Sequence, residues 1–174
     1  ALQAQMNPHF VFNALNSIKR MILEGDNDKA SRYLSKFASM IRMTLNHSKE
    51  TFVTLKENTD YLQTYLQMEQ LRFDQSFTCC IDVSEDLDPD ETLIPSLMIQ
   101  PLVENAIKYG VSRSTRPVTI SISATASDGW MAITVDDDGE DSAVKGHGNG
   151  IGLANVSDRL EARYDDAARL TNGR

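Results

Sequence analysis

Residues 118–135 read Val-Thr-Ile-Ser-Ile-Ser-Ala-Thr-Ala-Ser-Asp-Gly-Trp-Met-Ala-Ile-Thr-Val, and this stretch decides the fold class. Val118, Ile120, Ile122 and Ala124 alternate with Thr119, Ser121, Ser123 and Thr125, the period of a strand with one buried face. Asp128-Gly129, a dipeptide favoured in two-residue hairpin turns, joins that run to a second strand over 130–135. Outward from the hairpin, Phe77–Val83 reads as a further strand and 85–91 as an acidic loop. An apolar helix is expected over 96–109 and a last helix over 153–164. The C-terminal half is therefore α+β.

The N-terminal half has a different texture. Asn7-Pro8 is a helix-start signal, after which Val11, Leu15, Ile18 and Ile22 recur at helical spacing until Gly25. A second helix is expected to start at Asp28 as its N-cap, with Ala30, Leu34, Phe37, Ile41 and Leu45 as its apolar stripe. Thr54 and Glu57 are spaced as a capping box before a third run containing Leu55, Leu62, Tyr65, Leu66 and Phe73. The first 74 residues read as wholly helical, and the change after Arg72-Phe73-Asp74 predicts two domains, 1–75 and 76–174.

Composition narrows the function classes. A formal charge of −8 on 174 residues argues against a nucleic-acid partner, because phosphate neutralisation needs clustered Lys and Arg. Cys79 and Cys80 are adjacent, the wrong arrangement for a disulfide framework or a four-ligand zinc site, and fit a reducing cytoplasm. No apolar run approaches the roughly 20 residues that span a bilayer. The expectation is a cytoplasmic chain, or the cytoplasmic part of a membrane-bound protein.

Four constellations carry chemistry. At 100° per residue, His9, Asn13, Asn16 and Arg20 share one polar helical face, so His9 is expected to be exposed. Taken alone, such a histidine is more often a solvated or packing residue, but a reachable neutral imidazole is also a competent phosphoryl acceptor. Gly146-His147-Gly148-Asn149-Gly150-Ile151-Gly152 leads into an amphipathic run, and glycines there would let backbone N–H groups approach phosphate; a surface loop is the bland alternative. Asp136-Asp137-Asp138-Gly139 follows the last strand, where a carboxylate can accept the exocyclic amine of adenine or simply be a solvated turn. In Glu104-Asn105-Ala106-Ile107-Lys108, Asn105 could offer its amide oxygen to a hard cation and Lys108 could reach phosphate; the bland reading is a Glu104–Lys108 surface pair.

The four together, in this order, resemble the transmitter region of LytS-like sensor histidine kinases, within the GHKL ATPase superfamily shared with gyrase and MutL. Gln5-Met6-Asn7-Pro8-His9-Phe10-Val11-Phe12-Asn13 resembles the phosphoacceptor box, Tyr65-Leu66 through Arg72-Phe73 the helix leaving it, Pro95 through Gly110 the Asn box, and Gly148 through Val156 with Arg159-Leu160 the second glycine box. The resemblance implies an α+β architecture: a helical dimerisation and phosphoacceptor domain over 1–75, then an ATP-binding α/β sandwich of the GHKL or Bergerat type over 76–174. It implies His9 as the acceptor, Asn105 as a Mg²⁺ ligand, Asp137 on adenine, and Gly148, Gly150 and Gly152 along the phosphates under a lid over 142–147, with Lys108, Gly139 and Leu153 also expected in the nucleotide site. It implies a homodimer and a response regulator as partner. The sequence departs from the pattern at Asp141, which replaces the second glycine of an Asp-x-Gly-x-Gly box. A second reading therefore stays open: a degenerate nucleotide-binding scaffold that dimerises and docks a regulator. A chaperone-like or topoisomerase-like ATPase is disfavoured by Pro101, which stands where hydrolytic relatives carry a glutamate.

Overall fold

The computed structural model describes residues 8–74, 76–139, 156–158, 160–161, 164 and 167–171. Helix α1 spans Pro8–Leu23, with proline in the first turn, where its missing N–H costs no helical hydrogen bond. It stops at Gly25, whose φ of +81° lets Gly25 N–H bond Ile22 O and Asp26 N–H bond Met21 O, each at 3.0 Å. Helix α2 spans Asn27–His47 and is capped by Asp26, not by Asp28 as expected; the Asp26 carboxylate accepts from Lys29 N at 3.0 Å. Asp28 instead occupies the first turn, where a negative charge still favours the helix dipole.

The faces of both helices differ from the expected stripes. In α1, Ala14, Ser17 and Met21 turn inward with Phe10 and Ile18 packed beside them, while Leu15 (51% exposed) and Ile22 (53%) face outward. The inward set recurs at helical spacing too, and its small members let large rings approach: Phe10 lies 5.9 Å from Phe37 and 6.1 Å from Tyr65. In α2 the buried residues are Ala30, Tyr33, Met40, Thr44 and His47, with Leu34 exposed. Reading only aliphatic positions overlooks Tyr, Thr and His, whose carbon frames can also be buried: the Thr44 hydroxyl donates to Met40 O at 2.9 Å, whereas the buried His47 Nδ1 has no hydrogen-bond partner among the described residues.

The first 74 residues are not wholly helical. Strand β1, Phe52–Thr54, pairs antiparallel with β3, Leu93–Pro95, in the register Val53↔Ile94, and ties the segment after α2 to the C-terminal half. Helix α3, Leu55–Arg72, starts with the expected capping box: Thr54 Oγ1 accepts from Glu57 N at 3.1 Å, and Glu57 Oε2 accepts from Thr54 N at 2.9 Å.

A three-stranded sheet follows in the order β2-β4-β5, formed by Phe77–Val83, Val118–Ser127 and Trp130–Asp137. β2 runs parallel to β4, and β4 antiparallel to β5. Asp128 and Gly129 both take positive φ, 51° and 79°, as the expected two-residue hairpin requires. Val118, Ile120, Ile122 and Ala124 are buried, and their alternates form the outer face. Between β3 and β4 lies helix α4, Gln100–Asn105, which widens into a π-helical turn over Ala106–Val111. One continuous core joins Met21, Tyr33 and Met40 of the helices through Leu62 and Leu66 of α3 to Ile107, Phe77 and Ile120. Residues 156–158, 160, 161 and 164 are helical, within the last expected helix.

Candidate functional site

The site is built where the end of β5 meets the turn after α4. β5 continues two residues beyond the expected strand, because Asp137 pairs with Ile120 and Asp138 N–H bonds Thr119 O at 3.2 Å. Asp136 and Asp137 therefore belong to the strand instead of following it, and alternation assigns the three aspartates different surroundings. Asp136 is exposed. Asp138 Oδ1 accepts from Thr119 N at 2.7 Å, with Arg116 Nη1 3.8 Å from its Oδ2. Asp137 is half-buried, on the same face as Ile133 and Val135, and its Oδ1 accepts from Gly139 N at 3.1 Å.

Opposite Asp137 stands Gly110, carried there by the π-helical turn. A Cβ added at Gly110 would fall inside contact distance of Asp137 Oδ1 and 2.6 Å from its Cγ. One added at Gly139 would lie 2.7 Å from the same oxygen and 2.8 Å from Gly110 Cα. The carboxylate thus sits in a cradle walled by two glycines that no other residue leaves open. Gly110 was not among the expected site residues. The signal was present in the sequence, since glycine inside a helix costs about 1 kcal/mol relative to alanine and so needs a packing or functional reason. If Asp137 holds adenine as the resemblance implies, Gly110→Ala should push it aside and weaken ATP binding about as much as loss of that carboxylate, roughly 10-fold or more, with unchanged far-ultraviolet circular dichroism. An ATP titration giving wild-type affinity would show that Asp137 does not need this cradle.

Similarity to known proteins covers nearly all of the chain. Residues 1–77 match the family described as histidine kinase. The chain is 34% identical over 170 residues to sensor histidine kinase YesM of Bacillus subtilis (strain 168), covering 95% of this chain and 29% of that protein. It is 33% identical over 165 residues to sensor histidine kinase BtsS of Escherichia coli (strain K12), covering 95% and 29%. With sensor protein LytS of Oceanobacillus iheyensis it shares 35% identity over 183 residues, covering 97% and 31%. The chain carries a LytS-like sensor histidine kinase region. It spans about three-tenths of the length of these relatives.

Within this histidine kinase region, His9 lies in the first turn of α1, and its side chain is outside the described residues, as are Gly148, Gly150, Gly152, Leu153 and the expected lid over 142–147. Asp137 and Gly139 are brought together against Gly110. Asn105, half-buried, ends α4 five residues before that glycine, and Lys108 lies on the intervening turn. Lys108 is exposed, with Nζ 5.0 Å from the Tyr109 ring centre, and the Arg113 guanidinium lies 4.8 Å from the same ring. The bland Glu104–Lys108 pair is not formed among the described residues. A π-turn between the two shifts the helical register, so residues four apart no longer stack. Glu104 Oε1 instead accepts from Gln100 Nε2 at 2.6 Å. Burial pushes the Glu104 carboxyl above the usual carboxylate range, a shift the Gln100 bond opposes and the charge of Glu69 reinforces. No helix among the described residues is long and apolar enough to cross a membrane.

Proposed function

We propose that this region is the kinase core of a two-component sensor, which moves the γ-phosphoryl group of ATP to His9 and then to an aspartate of a response regulator. The observation that carries the reading is the Asp137 carboxylate held between Gly110 and Gly139, a half-buried acceptor in a slot whose walls have no side chains. The carboxylate accepts from the exocyclic amine of adenine, whereas guanine presents a carbonyl there and is rejected.

Asn105 offers its neutral amide oxygen to Mg²⁺, and Lys108, Gly148, Gly150, Gly152 and Leu153 receive the phosphates. Mg²⁺, when bound, offsets the charge on the β- and γ-phosphate oxygens. An imidazole nitrogen of His9 forms the new N–P bond as the bond from the γ-phosphorus to the bridging oxygen of ADP breaks, and the imidazole proton passes to solvent. In this reading residues 1–75 form the dimerisation and phosphoacceptor unit and 76–174 the ATP-binding unit, bridged by the β1–β3 pair. Phe12, Leu15, Ile22 and Leu23 on α1 and Leu34 on α2 leave an exposed apolar surface, which a second copy of the chain would cover in a helical bundle. The region is placed in the cytoplasm, with any membrane-bound sensor segment upstream.

Incubation with γ-labelled ATP and Mg²⁺ tests the reading: label should appear on the chain and be lost in acid but kept in alkali, as a phosphoramidate is. Nucleotide binding without transfer would favour the degenerate scaffold suggested by Asp141. Asp137→Asn should weaken ATP binding by roughly 1.5–3 kcal/mol, the scale of a hydrogen bond to a charged group, and relax discrimination against GTP. Unchanged affinity in a titration would remove Asp137 from the adenine site and point to Asp136 or Asp138.

A further inference from the structure

The end of α2 is fastened to the Asn105-bearing helix by buried and part-buried polar bonds that the chemistry above does not use. Tyr61 of α3 is 1% exposed, and its Oη donates to Gln100 Oε1 in the first turn of α4 at 2.5 Å. Gln100 Nε2 donates to Glu104 Oε1 at 2.6 Å, so both ends of one amide are engaged. On the other side, Thr44 Oγ1 of α2 lies 3.3 Å from Tyr61 Oη, and the His47 ring packs 5.3 Å from the Tyr61 ring. A second tie runs nearby, where Ser96 Oγ donates to His47 O at 2.6 Å.

Counting protons fixes the direction of the chain. Tyr61 has one hydroxyl proton and gives it to Gln100, so in any bond with Thr44 the threonine is the donor. The Thr44 proton divides between Tyr61 Oη and Met40 O, which lies 2.9 Å away. The bonds therefore run one way, from Thr44 to Tyr61 to Gln100 to Glu104, and end on a carboxylate whose next residue is Asn105. Burial holds the Tyr61 hydroxyl well above its ordinary pKa, which keeps it a neutral donor. Phenylalanine would fill the same volume at position 61, so the hydroxyl is used for its direction and not for packing. Leaving the Gln100 oxygen without that donor has a cost, because a half-buried amide pays for its lost hydration.

We propose that Tyr61 and Gln100 are positioning residues for phosphoryl transfer, which lock α4 and its Asn105 to the end of α2 and so set the nucleotide relative to the phosphoacceptor helices. The proposal rests on the kinase reading given above. A joint of this kind acts on the transfer step, where a small misplacement is expensive, and leaves nucleotide binding alone.

The test uses Tyr61→Phe and Gln100→Leu, singly and together. At saturating Mg·ATP the initial rate of His9 labelling should fall roughly tenfold in each, the scale of one buried hydrogen bond, while ATP affinity stays within about twofold. The double variant should be no slower than the slower single one, because both changes break the same chain. Wild-type labelling in Tyr61→Phe, or losses that multiply in the double variant, would overturn the joint. Amide hydrogen exchange over residues 100–105, measured without nucleotide, gives a readout independent of activity. It should quicken in Tyr61→Phe, and unchanged protection would also overturn the joint. If the unaltered chain fails to label at His9, the kinase reading falls, and the exchange measurement alone then decides whether Tyr61 locks α4.

Discussion

Replacing His9 with glutamine abolishes acid-labile phosphate on the chain while ATP affinity stays within about twofold. Glutamine keeps a polar side chain of similar reach, but its amide nitrogen has no available lone pair, so no N–P bond can form. Loss of a nucleophile is among the largest single-residue effects in catalysis, and labelling should fall by roughly 10³-fold or more. Affinity should hold, because His9 lies on α1 whereas the cradle around Asp137 is built from β5 and the turn after α4. Labelling with γ-labelled ATP, split into acid-treated and alkali-treated halves, reads the first quantity, and equilibrium titration with ATP reads the second. Persistent acid-labile label in the variant would move the acceptor to another residue.

The second large effect is expected at Asn105. Changing Asn105 to Asp adds a full negative charge at the end of α4 with little change in shape. Two unit charges 4 Å apart at an effective dielectric of 20 interact by about 4 kcal/mol, so even a partly screened carboxylate facing a triphosphate should slow transfer by roughly 10²-fold or more. Forward phosphorylation of His9 by ATP should therefore collapse. The reverse step, from a phosphorylated regulator back to His9, should survive within a few fold, because it needs neither nucleotide nor its metal. Measuring both directions separates the outcomes. Loss of both would indicate a damaged fold, and loss of neither would remove Asn105 from the site.

Much of the architecture was legible because it is local. The Val118–Ser127 alternation, the Asp128-Gly129 turn and the Thr54–Glu57 capping box each follow from side chains within a few residues of one another, and each forms as expected. The order of motifs from His9 to the glycine box was likewise enough to identify the family. What was misread depends on partners distant in sequence. β1 is three residues long, too short to carry a period of its own, and exists because Leu93–Pro95 lies alongside it. Choosing Leu15 and Ile22 over Ala14 and Met21 as the inward face of α1 required knowing that the Tyr33, Phe37 and Tyr65 rings approach from α2 and α3.

By itself, then, the sequence determined the helices and the hairpin, and the kinds of residue able to carry phosphoryl chemistry, since propensity, capping and alternation act over one or two turns of chain. The tertiary structure alone decided which aspartate is enclosed: the β4–β5 register extends the strand to Asp137, the π-turn brings Gly110 against it, and Asp138 is drawn off to Thr119 and Arg116. It alone joined Thr44, Tyr61, Gln100 and Glu104 into one line of hydrogen bonds from three helices. A directional bond between residues about forty positions apart has no signature in composition or period, and it appears only when packing brings donor and acceptor within 3 Å or so of each other.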